Sequence, residues 1–328
     1  MNPRQIVCKT LDFQNPKRVA HSFEPSDIIY CTYQTKTHAT DWEKIDDKNW
    51  RRLDEWGNTW ARVDSTSKGE VLKGVLDNLD DLGKYDFPDF SNPLDYELAG
   101  KIRHENPDRY LLGGIPGFPF NIARKLRRLD KYLMDIVLEP DRIHLLHDRI
   151  EKPITQMIRS YASAGADAIL FCEDWGTQQQ LLISPQLWLK EFFPRFQRLC
   201  TLAHESSLKV WMHSCGRIEA IIPHLIKAGI DVLQFDQPDL HGLDNLAAYQ
   251  LNAGITFWCP VDIQKTLQTR DEHTIRNAAK QMLDKLWKAR GGFIAGYYQD
   301  NDSIGLDPKW QAYACDEFKT HGVEKNYR

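Results

Sequence analysis

The feature that most restricts the fold is an alternation beginning near residue 165: an apolar strand, a polar strand end, then an amphipathic helix. "GADAILFCEDWG" is a short buried run closing on polar residues, and "SPQLWLKEFFPRFQRLCTLAHESS" follows with apolar residues at helical spacing. Ser184 is placed to cap that helix, with Pro185 at its first position. Pro194 is expected to kink or split it, because proline removes a backbone donor and crowds the preceding turn. The rhythm recurs as "LKVWMHSCG" into "RIEAIIPHLIKAGI", "DVLQFDQP" into "LDNLAAYQLNAG", and "ITFWCPVD" into "DEHTIRNAAKQMLDKLWKARG". "GGFIAGYYQD" then precedes a closing helix, "DPKWQAYACDEFKTHG". Strands alternating with helices predict a parallel sheet with right-handed crossovers. Such sheets carry their chemistry at the carboxyl ends of the strands. Here those ends hold Glu173 and Asp174, His213 and Cys215, Asp236 and Gln237, Cys259 and Asp262, and Gln299.

Upstream, "DRYLLGGIPGFPFNIARKLRRLDKYLMDIV" reads as strand, Gly/Pro loop and helix, an earlier unit of the same sheet. A chain of 328 residues accommodates two average domains or one α/β barrel, and no linker or repeat marks a second domain. Residues 1–100 are rich in Asp, Trp and turn formers, and "DEWGNTWARV" suggests a hairpin or edge strand. They are expected to form an N-terminal extension packed on a barrel of residues 101–328. A net charge of -4 argues against chain-wide attraction to nucleic acid, and the basic run "ARKLRRLDKY" reads as a solvated helix face. No apolar run reaches the roughly 20 residues that span a bilayer, and "MNPRQIVCKTLDF" lacks the apolar core of a signal peptide. Seven scattered cysteines suit a reducing compartment, so a cytoplasmic location is expected.

Side chains alternate across a strand, so His213 and Cys215 face the same way and Ser214 the other. An imidazole and a thiolate two residues apart make half of a zinc site; the alternative is a lone histidine beside a packed thiol. Asp174, Trp175 and Gln178 follow a strand end and read either as a substrate-contact loop, with Trp175 walling the pocket, or as a capped turn. Asp262 and Gln264 in "CPVDIQ" invite the same two readings, as does Tyr298. Alternation turns Cys172 away from Glu173, which suggests packing, and Cys8, Cys31, Cys200 and Cys315 read as structural. His204, His224 and His241 are expected to face solvent.

The ordered set "GADAILFCEDWGTQ", "ISPQLWLKEFFPRF", "VWMHSCG", "IKAGIDVLQFDQP" and "FWCPVDIQKTL" resembles the uroporphyrinogen decarboxylase superfamily, nearest its methyltransferase-like branch, over roughly residues 105–320. The resemblance implies a (β/α)8 TIM barrel with an N-terminal extension. The heme-pathway decarboxylases hold porphyrinogen carboxylates with an Arg-containing "MRQAGRY"-type segment; this chain has none, so uroporphyrinogen is not the expected substrate. The cobalamin-dependent methyltransferases carry H-x-C at the end of the fifth strand, where His213 and Cys215 stand, and a second Cys on the last strand. Here "GGFIAGYYQD" has no thiol, which leaves Cys259 as a third ligand or as a buried small residue. Asp236 would be a fourth ligand, an outer partner or a substrate contact.

The function so implied is a zinc-dependent methyltransferase. It would move a methyl group between a corrinoid on a partner protein and a small thiol or a methoxylated or methylated substrate. Asp174 and Asp262 would be its catalytic groups, with Trp175, Gln178, Gln237, Gln264 and Tyr298 on the substrate. Two other classes stay open: a metal-free decarboxylase or lyase using Asp174 or Asp262, and a ligand-binding barrel without catalysis.

Overall fold

The computed structural model describes residues 1–35, 38–65 and 67–324. The chain opens with helix α1 (Pro3–Leu11) and two short strands, β1 (Ala20–His21) and β2 (Ile28–Thr32). An antiparallel meander follows: β3 (Glu43–Asp46), β4 (Asn49–Leu53), β5 (Thr59–Arg62) and β6 (Glu70–Lys73). Helix α2 (Glu97–Glu105) leads to β7 (Tyr110–Gly114), then α3 (Pro119–Arg127), α4 (Leu129–Leu138) and α5 (Pro140–Ser163). Next come β8 (Ala168–Cys172), α6 (Pro185–Glu191), α7 (Phe193–Glu205), β9 (Lys209–His213) and α8 (Ile222–Ala228). The chain closes with β10 (Val232–Gln234), α9 (Leu243–Ala253), β11 (Thr256–Cys259), α10 (Glu272–Met282), β12 (Phe293–Ala295) and α11 (Lys309–His321).

Eight strands pair in parallel in the order β1-β12-β11-β10-β9-β8-β7-β2, a nearly closed (β/α)8 barrel. The alternation from residue 165 onward is borne out, and so is the split at Pro194: α6 ends at Glu191 and α7 begins at Phe193. Ser184 accepts from the Leu187 N–H as the cap. The boundary drawn at residue 100 does not follow the sheet, because β1 and β2 are barrel strands. β1 has only two residues, and β2 leads into the meander rather than an amphipathic helix, so neither shows the alternation that marks the later units. "DEWGNTWARV" does fall in a hairpin, between β4 and β5.

Period-two alternation sorts the barrel side chains. Tyr110, Leu112, Ala168, Trp211, Val232 and Ile294 fill the interior, with Trp258 against them. Phe171, Met212, Leu233, Phe257 and Cys259 point outward into the layer under the helices. Helix α1 closes the amino end of the barrel: Ile6, Val7 and Leu11 join the interior cluster, and Asp167 there pairs with Arg4 and Arg103. The open end is therefore the carboxyl end. No helix among the described residues is long and apolar enough to cross a membrane.

Candidate active site

Two loops at the carboxyl ends of β8 and β9 are sewn together by backbone. The Trp175 N–H donates to the Ser214 hydroxyl, and the Gly176 N–H donates to the Cys215 carbonyl. The Arg217 N–H donates to the Thr177 carbonyl at 2.7 Å. The approach demands glycine on both sides. Gly216 has φ +75°, and a Cβ there would lie 2.2 Å from the Gly176 carbonyl oxygen. This seam brings Asp174 to the end of "HSCG".

Asp174, His213 and Cys215 each offer one ligand atom, and the three atoms lie within 4.8 Å of one another. His213 Nε2 is 3.2 Å from Cys215 Sγ and 3.5 Å from Asp174 Oδ1. Asp174 Oδ1 accepts from the Cys215 N–H at 3.0 Å, and Arg124 on α3 reaches its Oδ2 at 3.3 Å. Burial opposes ionisation of Asp174, but His213, the Cys215 N–H and Arg124 outweigh it and hold the carboxyl below its usual range. Burial, with Asp174 and Asp236 nearby, drives the Cys215 thiol well above its ordinary pKa. A thiolate there would need a cation.

Gln234 sets the tautomer of His213. Its amide nitrogen donates to Asp236 Oδ1 at 2.8 Å, which turns its carbonyl toward His213 Nδ1. Nδ1 then carries the proton and Nε2 keeps its lone pair, as a metal-ligating imidazole requires. Asp236 thus stands behind the donor cluster, acting through Gln234, and is not one of the converging ligands.

The expected ligand Cys259 does not reach the cluster. Its neighbour Trp258 packs with the barrel interior, so Cys259 points the other way, fully buried beneath the helices. Asp262 does not join the cluster either: it is buried, and its Oδ1 accepts from the N–H groups of Gln264 and Lys265 in a tight turn. Trp175 is not among the described residues lining the cavity at Cys215; its ring is fully buried among Phe120, Phe192 and Trp188. The other expected contacts do meet. Gln178, Asp236, Gln237, Gln264 and Tyr298 line one cavity of about 410 Å³ with Cys215, and Gln178 donates to Gln237 at 3.0 Å.

Some residues at the site escaped the sequence reading. Gln234 is a polar residue inside an apolar strand, in parallel register with His213, and that position was the available signal. Arg124 sits in the run read as a solvated face. His241, expected in solvent, is buried in the same cavity against Phe235, and burial pushes its pKa down to about 4. Cys172 is not packed away: alternation turns it into the barrel mouth, and the protein walls around it raise its thiol to about 11. Glu173 faces outward instead, fully buried, and accepts from the Asn121 N–H in the first turn of α3. Burial raises its carboxyl to about 8.

Comparison with known proteins agrees with the barrel fold. The family model "Uroporphyrinogen decarboxylase (URO-D)" matches residues 63–297. The uroporphyrinogen decarboxylase of Proteus mirabilis is 27% identical over 119 residues, covering 34% of this chain and 33% of that protein. That of Pseudomonas fluorescens is 28% identical over 122 residues, covering 34% of each. The matches thus span about a third of the length of these relatives. A methyltransferase from Methanosarcina mazei shares the fold, with a TM-score of 0.60 at 14% identity over 97% of this chain and 86% of that one. With most of its length matched by the family model and a barrel of the corresponding form, the chain belongs to the uroporphyrinogen decarboxylase family.

Proposed function

We propose that this protein is a zinc-dependent methyltransferase, moving a methyl group between a corrinoid carried by a partner protein and a small thiol or a methoxylated or methylated substrate. The observation that carries the reading is the convergence of imidazole, thiol and carboxylate donors on one point at the barrel mouth. That donor set suits zinc, and three protein ligands leave a position for substrate. His213 Nε2, Cys215 Sγ and an Asp174 oxygen would hold the ion. Zinc bound there would stabilise a substrate thiolate or polarise a methyl-bearing heteroatom.

The chain's own residues supply the rest. Arg124 and the Cys215 N–H fix the Asp174 carboxylate, and Gln234 keeps the proton on His213 Nδ1. The amides of Gln178, Gln237 and Gln264 and the Tyr298 phenol offer polar contacts to a small substrate. Among the described residues lining that cavity the one lysine or arginine is Lys68, which pairs with Asp300 at 3.6 Å.

The test is methyl transfer by the zinc-loaded protein in both directions. Methylcobalamin with a panel of thiols, and a Co(I) corrinoid with methyl ethers and methylamines, are followed by corrinoid absorbance. Turnover that falls about a hundredfold or more in Cys215→Ser supports the reading. Full zinc occupancy without turnover in either direction would favour a ligand-binding barrel. Carbon dioxide released from an acid by metal-free protein would favour a lyase.

A further inference from the structure

Between the meander and the barrel mouth lies a second cavity, of about 430 Å³. Its floor is the carboxyl ends of β2 and β7, and Arg52, Trp60, Tyr30, Tyr33 and Lys125 are among its walls. The acidic residues on this wall are already engaged. Asp54 accepts from the Trp56 and Asn58 N–H groups, the Asn58 amide and the Trp60 indole, and Glu55 accepts from the Tyr33 hydroxyl at 2.7 Å.

The cations are not. Among the described residues Lys125 makes no hydrogen bond or ion pair; its ammonium lies 5.7 Å over the Trp60 ring. Arg52 likewise has only aromatic faces, 5.0 Å from Trp42 and 5.2 Å from Trp60, and its buried Nε has no acceptor. Cation–π contact stabilises such groups but leaves their hydrogen-bond donors open. Burial, with Arg124 beside it, holds the Lys125 ammonium below its usual range against the pull of the nearby Glu55 and Asp54 carboxylates, neither of which bonds to it.

We propose that this cleft is a carboxylate subsite, in which Arg52 and Lys125 hold the acid group of an aromatic carboxylate while Trp60, Tyr30 and Tyr33 flank its ring. The subsite is placed to serve the metal cluster. Gly114 on its floor is paired to Leu170, and Cys172 on that same strand is paired to His213. Two strand spacings across and two residues along β8 separate Gly114 from His213, about 12 Å, a span bridged by a ring with an acid at one end and a methyl-bearing group at the other when each end makes a contact. That the far end carries a transferable methyl group rests on the proposed methyl-transfer function; the carboxylate subsite does not.

Calorimetric titration of the whole protein tests it, with 4-methoxybenzoate, its methyl ester and benzylamine as probes. The acid should bind at least about tenfold tighter than the ester, the scale of one charge-assisted hydrogen bond. Lys125→Met and Arg52→Gln, with folding checked by circular dichroism, should each weaken the acid about tenfold or more and leave the ester unchanged. Cys215→Ser should bind the acid as the unaltered protein does. Acid and ester binding equally, benzylamine binding tightest, no binding of the acid, or unchanged affinity in both cation variants would each overturn the subsite. Acid binding that depends on Lys125 supports it even where the methyl-transfer assay is blank, so the two proposals fail separately.

Discussion

At the scale of single residues, the candidate metal site depends on a relay of hydrogen bonds, from Asp236 to Gln234 to His213. Replacing Gln234 by leucine should free His213 to take either tautomer and weaken zinc affinity about 10- to 100-fold, measured by competition with a chromophoric chelator. Cys259→Ser should leave that affinity unchanged, because the thiol faces the helices. Equal loss in both variants would count against the relay. The sequence makes His213 and Cys215 legible through strand alternation and resemblance. Applied to "ITFWCPVD", the same alternation leaves the phase of the strand undecided, since Phe257, Trp258 and Cys259 are all able to be core. Packing settles it: Trp258 takes the interior, where its indole donates to the Ser22 hydroxyl. Asp174 was singled out as a catalytic group, but its role beside Cys215 depends on a loop crossing that no local pattern reveals.

At the scale of elements, the site is a seam between the loops after β8 and β9, and glycine is what lets the seam close. Gly216→Ala would combine a left-handed φ with a Cβ 2.2 Å from the Gly176 oxygen. We expect a loss of about 1–3 kcal/mol or more in urea unfolding, together with loss of zinc binding as Asp174 moves away from Cys215. A variant that unfolds like the parent and retains zinc would show that the two loops are positioned independently. The strands and helices from β8 onward were readable because each apolar run closes on polar residues and each helix shows a cap or a break. The place of the meander was not. Its Trp and Arg residues mark a hairpin, but β4 and β5 come to wall a cleft at the barrel mouth only through packing against α3.

At the scale of the whole molecule, stability draws on a buried polar network between α4, α5 and the α6–α7 pair. Tyr132 bonds to His147 at 2.7 Å, and Glu191 accepts from His147 at 2.7 Å and from the fully buried Arg195 at 2.9 Å. Burial works against the Glu191 charge, but His147, His144 and Arg195 prevail and lower its pKa from 4.5 to about 2. A carboxyl depressed by folding stabilises fully above its unfolded pKa and stops doing so as pH falls through the folded one. Glu191→Gln should therefore cost about 1–3 kcal/mol at pH 7, with the gap to the parent narrowing between pH 4.5 and pH 2. A gap independent of pH over that range would remove the charge from the explanation. The central claim, a metal centre of one imidazole, one thiolate and one carboxylate, is tested most directly by X-ray absorption of the zinc-loaded protein. The structure predicts a single sulfur per zinc at about 2.3 Å, the rest of the shell being nitrogen and oxygen; two sulfurs, or none, would contradict it.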